Sequence, residues 1–385
     1  MTTDMAQIYL DYNASSPIDP SVAAIMRPLL DESFGNPSSG HWAGQPARVA
    51  LERARSQVAA LIGAEPDEIV FTGGGSEANN LAVKGTFFAL RERGEHIITQ
   101  ATEHPSVLTP LQFLVRLGAK VTYLPVDRTG RVDPAAVRAA ITPRTILISI
   151  MHANNETGTL QPIEAIATIA RKSGIRLHTD AAQSVGKVPT RVDSLGVDLL
   201  SIAGHKLYAP KGVGALYVRR GTALEPVIHG ANHEHGRRAG TESALLATGL
   251  GAASVLAINL APMTPIRALR DDLWRALREN FGDRVQLNGH PDHRLPNTVN
   301  VSFIGLNGTE VLSALDGVAA STGSACHSGQ VEPSPVLKAM NVPEQVAIGA
   351  VRFSLGRSSS EADIKAVVEQ LRARISIMYS HAVSD

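Results

Sequence analysis

A chain of 385 residues with 44% hydrophobic and 19% charged side chains is too long for a single small module and too apolar to be disordered. Its 36 Lys and Arg balance 36 Asp and Glu, so no basic surplus exists to hold nucleic acid. The single cysteine, Cys326, excludes an internal disulfide and a multi-cysteine metal site but remains free to act as a nucleophile.

The opening MTTDMAQIYL has neither a basic n-region nor an apolar stretch of signal length, which implies a cytoplasmic product. From residue 68 to 218, short β-rich runs alternate with helical patterns, the signature of a mainly parallel sheet covered on both faces. Strands are expected over 68–72, 96–100, 120–124, 145–151, 175–179, 197–203 and 214–218. Helices are expected over 77–91, 105–117, 134–141 and 163–172, several opened by Pro or a polar cap. Residues 243–265 carry no charge and approach the length of a membrane span. Thr248, Gly249, Gly251, Ser254, Asn259 and Pro262 interrupt that stretch, so a helix buried against a sheet or a subunit is expected, and no membrane partner. Beyond 265 come a charged amphipathic helix, RALRDDLWRALREN, two β-rich runs, NTVNVSF and VRFSL, and a last helix from Ser360, which reads as a smaller α+β domain. The expected fold class is therefore α/β, with a large domain over 15–262 and a small domain made of 1–14 and 263–385.

Functional groups in open α/β folds collect at the carboxyl ends of strands, and five such segments stand out. FTGGGSEANN runs a strand through Gly73, Gly74, Gly75 and Ser76 into a helix, where exposed N–H groups suit a phosphate; a flexible turn would look the same. TEHPSV places His104 after the next strand, a position as compatible with a structural histidine as with a functional one. MHANNETG offers the amides of Asn154 and Asn155, either a site or an Asx turn. HTDAAQSVG brings Asp180 to a strand end, with Gln183 three residues later; the carboxylate could hold a protonated ring nitrogen or cap a helix. SIAGHKLYAPKGVGALYV sets His205 and Lys206 in a turn between two buried strands, a place for a partly desolvated amine. Together these form the parts list of a pyridoxal 5′-phosphate site: a phosphate cradle, an acid for a pyridinium nitrogen, amides for a phenolic oxygen, a ring to stack and a lysine to bind an aldehyde.

With these segments in hand the chain resembles the cysteine desulfurase family of class V, fold-type I pyridoxal-phosphate enzymes, from YLDYNASSP (9–17) and FGNPSS (34–39) to RFSLGRSSS (352–360). The resemblance implies a fold-type I transferase with a seven-stranded, mainly parallel sheet and a homodimeric assembly. It implies that Lys206 carries the cofactor, Asp180 holds its ring nitrogen, and His104 stacks on the ring and shuttles protons. Asn155 and Gln183 would lie near the phenolic oxygen. Gly75, Ser76 and His205 would bind the phosphate, joined by Thr241 of the other subunit. Arg352 would clamp the substrate carboxylate with a planar fork, beside Asn13 and Asn155. Cys326, in STGSACHSGQVEPSPVL, matches the family's reactive loop and would be the nucleophile.

Two departures stand out. Ser76 stands where the family often has Thr, and Ala203 where it often has Ser, removing one hydroxyl donor to the phosphate. His229, His233 and His235 have spacings that could seed a metal site, but their loop matches an active-site and subunit-interface segment, so no metal is expected.

The implied reaction converts L-cysteine to L-alanine, leaves the sulfur on Cys326 as a persulfide and passes it to an acceptor such as an iron–sulfur scaffold protein. A selenocysteine lyase acting on L-selenocysteine is the nearest alternative, because ACHSG followed by PSPVL also resembles that relative's loop. A persulfide carrier that does not turn over is the non-enzymatic one, against which Lys206, Asp180 and His104 together argue. A plain class V aminotransferase would have no need of a loop cysteine.

Overall fold

The computed structural model describes residues 7–323, 325–327 and 330–381. A short strand, β1 (Ile8–Tyr9), is followed by seven that form one sheet: β2 (Ile69–Thr72), β3 (His96–Gln100), β4 (Lys120–Leu124), β5 (Thr145–Ser149), β6 (Arg176–Asp180), β7 (Leu199–Ala203) and β8 (Gly214–Val218). Their order is β2-β8-β7-β6-β5-β3-β4. β8 runs antiparallel to both its neighbours, and the other four pairings are parallel. The mainly parallel α/β sheet expected from the alternation is present, and its inner strands β5, β7 and β8 are buried along their whole length, as their largely apolar runs require.

Five strand ends differ from expectation, β2 beginning one residue late at Ile69 and β6 shifting by one at both ends. β5 stops at Ser149, two residues short. β6 runs one residue further, so Asp180 ends the strand instead of following it. β7 begins at Leu199, because Asp198 takes the Leu177 N–H on its carboxylate (2.9 Å) and delays the ladder. The crossover helices are Gly75–Leu90, Pro105–Val115, Pro134–Ala140 and Ile163–Lys172. Two of them open on Pro behind a side-chain cap, His104 and Asp133, where the missing N–H of Pro costs nothing.

The uncharged stretch 243–265 forms the buried helix Ala244–Ala257 and the start of Met263–Phe281. It packs against the helix Gly44–Ile62 of the same chain, not a sheet. A Cβ on Gly251 would lie 2.7 Å from the Ala54 Cα, so only glycine admits this approach. Among the described residues no helix is long and apolar enough to cross a membrane.

A second hydrophobic cluster lies beyond residue 262. β9 (Val285–Asn288), β10 (Thr298–Phe303), β11 (Val318–Ala319), β12 (Ala325–His327), β13 (Gln330–Glu332) and β14 (Ala350–Ser354) follow in the chain. β14, β10 and β9 make an antiparallel sheet, against which Met263–Phe281 and Glu361–His381 pack Leu273, Leu277, Leu371 and Ile375. Ile8 and Leu10 belong to the same cluster, and β1 pairs with β11. The chain's opening residues are thus tied to its last third, and a bridge between Asp11 and Ser354 joins them to β14 as well.

Candidate active site

A cavity of about 630 Å³ opens at the carboxyl ends of β2, β3, β5, β6 and β7, where the parallel strands release their chains into loops. Asn13, Gly75, Ser76, His104, Asn155, Asp180, Gln183, His205, Lys206 and Arg352 all line it. Thr241 of the same chain does not; it lines a neighbouring cavity of about 130 Å³ with Gly73, Glu234 and Arg238. Cys326 sits on β12 with its backbone opposite Val331, and its side chain lies outside the described residues.

The glycine turn behind β2 earns its composition. Gly74 has φ +149°, open to glycine alone, and a Cβ on Gly75 would stand 3.0 Å from the Ala203 methyl. Ala203 therefore packs against the turn at the place where a hydroxyl would be expected. Gly75 and Ser76 begin a 16-residue helix, so unpaired backbone N–H groups and the positive end of the helix dipole face the cavity. Glu77 accepts the Gly73 N–H (2.7 Å) and is itself paired with Arg238 at 2.9 Å.

Lys206 follows β7 in a single helical turn. Tyr208, two residues on, adopts the left-handed conformation at φ 63°, a strain held by Ser16 Oγ on its N–H (2.7 Å) and by the Arg357 N–H on its hydroxyl (2.8 Å). This turn aims the Lys206 amine at the carbonyls of Asn13 and Ala14, the latter at 2.7 Å. Burial, reinforced by the Arg352 charge, brings the Lys206 pKa down to about 8. His205 is pushed down to about 4 by burial and the nearby lysines, so it presents a neutral ring.

Asp180 is fixed by the Ala182 N–H (2.9 Å) and by Asn79 Nδ2 (2.7 Å). Asn79 also donates to Ser106 Oγ (2.8 Å), which lies 2.7 Å from His104 Nδ1. An unbroken path of hydrogen bonds therefore joins Asp180 to His104. Burial lowers the His104 pKa, against the opposing pull of Asp180, so the neutral ring is favoured. Asn79 and Ser106 were not anticipated. A signal existed for Asn79, which lies one turn after Ser76 on the same helix face, but nothing in the sequence pairs it with Asp180.

The two amides of MHANNETG divide the readings between them. Asn154 accepts the N–H groups of Glu156 and Thr157, both at 2.9 Å, and makes the Asx turn. Asn155 lines the cavity, and its side chain makes no hydrogen bond to another described residue. Arg352, on β14 and 8% exposed, bonds Asp11 (2.7 Å) and the Asn155 carbonyl (3.0 Å), while its buried Nε has no partner among the described residues. Asn13 spends its amide on Thr298 (2.8 Å) and the Asn155 carbonyl, so it braces the cavity wall.

The histidine-rich loop has a structural anchor. Glu234, at a left-handed φ of 48°, takes two nitrogens of Arg55 at 2.7 Å and the Phe71 N–H at 2.8 Å. Among the described residues, no group of three or more His, Cys, Asp or Glu is placed to hold a metal.

A family model for aminotransferase class-V matches residues 8–367. The chain is 50% identical over 369 residues to the cysteine desulfurase IscS of Dictyoglomus turgidum, covering 95% of this chain and 93% of that protein. Among solved structures it is similar to a NifS-like protein, with a TM-score of 0.91, 34% identity and coverage of 97% of this chain and 100% of the other. It is also similar to SspA in complex with cysteine, with a TM-score of 0.82, 39% identity and coverage of 92% and 100%.

Proposed function

The chain belongs to the aminotransferase class-V family, and on that premise we propose that the protein is a cysteine desulfurase that uses pyridoxal 5′-phosphate. The observation that carries the reading is the convergence of Lys206, Asp180, His104 and Arg352 on one cavity. These groups fit the cofactor: a cradle only glycine can form beside an open helix N-terminus, a carboxylate fixed from two sides, and a desolvated amine between them. Once bound there, pyridoxal phosphate supplies an electron sink for the carbanion left when the substrate Cα loses its proton.

The chain's own residues do the rest. Lys206, partly neutral at physiological pH, would be the amine that holds the cofactor aldehyde and the base for the substrate Cα proton. Asp180 keeps a ring nitrogen protonated by placing a negative charge beside it. Gly75, Ser76 and His205 would hold the phosphate, and Asn155 and Gln183 would serve the phenolic oxygen. Arg352 would bind the substrate carboxylate through its planar guanidinium. The Cys326 sulfur bonds to the substrate sulfur as the Cβ–S bond breaks; that bond's electron pair stays with carbon, which is protonated and leaves as L-alanine. The persulfide then passes to an acceptor protein, for which an iron–sulfur scaffold is the expected kind.

We further read residues 15–262 and the joined segments 1–14 and 263–385 as two domains, and the assembly as a homodimer in which Thr241 of each subunit serves the other's phosphate site. Exposed Phe34 and Trp42, each 79% accessible, sit with Ile25 and Leu30 on one early stretch and favour a second subunit there. The relatives' names favour cysteine over selenocysteine as the substrate.

The deciding experiment measures alanine released from L-cysteine and from L-selenocysteine by wild type, Cys326→Ala and Lys206→Ala. Turnover of cysteine that both substitutions abolish supports the desulfurase. A strong preference for selenocysteine, with cysteine only inhibiting, would replace it with the lyase. Bound sulfur without alanine would leave a persulfide carrier.

A further inference from the structure

Lys187 is a second lysine beneath the cavity that the proposed reaction does not use. It lies in the turn after β6, is 9% exposed, and pairs with no carboxylate among the described residues. Its one hydrogen-bond partner among the described residues is the side-chain oxygen of Gln183, 3.2 Å from Nζ. Burial, with Lys206 and Arg352 nearby, brings its pKa down to about 7. An amine buried without a counter-charge costs stability, so its presence calls for a local reason.

The hydrogen-bond chain supplies one. Nζ of Lys187 donates to Oε1 of Gln183, which sets the amide oxygen toward the lysine. Nε2 must then face the Asn13 carbonyl, which accepts it at 2.9 Å and also receives the Lys206 amine. Gln183 is 5% exposed and lines the cavity, and among the described residues only the Asn13 carbonyl accepts from Nε2, which leaves its second hydrogen unspent. With Oε1 turned to Lys187 and Nε2 to Asn13, the group the amide has left for the cavity is an N–H donor.

We propose that Lys187 is a positioning residue that locks the Gln183 amide with its N–H toward the cavity, so that this wall selects a ligand oxygen carrying negative charge. The assignment rests on the reading in which Gln183 faces the phenolic oxygen of pyridoxal phosphate. Lys187 itself touches neither cofactor nor substrate; it acts through Gln183 and, through the Asn13 carbonyl, on the resting place of Lys206.

The test is a double-mutant cycle of Lys187→Met and Gln183→Met on the full chain. The readouts are the dissociation constant of pyridoxal phosphate and the pH at which the absorption band of the Lys206-bound cofactor titrates. If the lock operates, each single substitution weakens cofactor binding by roughly 10-fold and moves the band's titration to higher pH, since an oxygen without its donor holds the neighbouring proton more tightly. The double variant is then no worse than either single one. Additive losses near 100-fold, or a Lys187→Met protein that binds and titrates as wild type, would overturn the proposal. Should Lys187→Met fail to fold, Lys187→Arg decides: it keeps donors at the position, so affinity within about threefold of wild type agrees and a tenfold loss overturns. A wild type that develops no band with pyridoxal phosphate removes the cofactor reading and this assignment with it, an outcome distinct from an additive cycle.

Discussion

His104 accepts the backbone N–H of Ser106 on Nδ1 at 3.1 Å, and the Ser106 hydroxyl lies 2.7 Å from the same nitrogen. A backbone N–H always donates, so Nδ1 is the unprotonated nitrogen and the neutral ring carries its hydrogen on Nε2. The same contact caps the helix Pro105–Val115, whose positive end further disfavours an imidazolium. Proton traffic through His104 must therefore use Nε2. Ser106→Ala keeps the cap but cuts the path to Asn79 and Asp180. The expected result is a fall of roughly 10-fold in kcat for alanine release with KM changed less than about threefold. A loss carried by KM alone would contradict a role in orienting the ring.

Lys206 titrates near 8 where a free lysine titrates near 10.5. Only the neutral amine attacks an aldehyde, so capture of pyridoxal phosphate by the apoprotein should accelerate through a midpoint near pH 8. Stopped-flow absorbance across pH 6.5 to 10 checks it, and a rate still climbing steeply at pH 10 would mean that the amine is not desolvated.

Arg352 presents a planar fork held by Asp11 and the Asn155 carbonyl. Lysine keeps the charge but not the geometry, so Arg352→Lys should raise KM for cysteine by about 10-fold or more, with a smaller effect on kcat. Steady-state kinetics separate the two.

Two buried histidines make the fold acid-sensitive. His152 is pushed down to about 4 and His178 to about 3, in each case by burial. The unfolded chain protonates both near pH 6.5, whereas the folded chain resists until far lower pH. Between those limits the unfolded state binds more protons, so the stabilisation is whole above pH 6.5 and is lost as pH falls toward about 4 and then 3. By pH 5 the loss is about 2 kcal/mol per group. Urea unfolding at pH 7 and pH 5 measures it, and equal midpoints would show that neither ring is neutral in the native state.

The Arg55–Glu234 pair is the costly one to break. Glu234 is 1% exposed at its side chain and Arg55 11%, so Glu234→Ala leaves a guanidinium buried without its partner and should cost about 3–5 kcal/mol. Asp67→Ala, which breaks an exposed pair with Arg220, should leave the denaturation midpoint nearly unchanged. Comparing the two variants by chemical denaturation tests whether burial sets the difference.

The sheet was legible because its signal is local. Buried parallel strands must be apolar on both faces, and runs such as Ile97–Ile98 or Leu199–Leu200 say so within a few residues. The chemistry at the strand ends was legible for the same reason: a glycine turn into a helix, or a lysine between two buried strands, is a short-range pattern. Asn79 and Ser106 escaped because an amide one turn into a helix and a serine behind a helix cap are common anywhere. Their meaning comes from distances of 2.7 and 2.8 Å to groups 101 and 27 residues away in the chain.

Asn154 and Asn155 mark the same boundary within two adjacent residues. Sequence offered a turn or a site for both, and the choice was made by which amide the Glu156 and Thr157 N–H groups could reach and which one the end of β5 left facing the cavity. By itself the sequence determined the order of elements, the apolar faces they must bury and the kinds of reactive group at the strand ends, all of which follow from neighbours along the chain. The tertiary structure alone decided which of those groups meet, which nitrogen of His104 is free and why Lys187 faces Gln183, because each depends on hydrogen bonds between segments whose separation in sequence carries no distance in space.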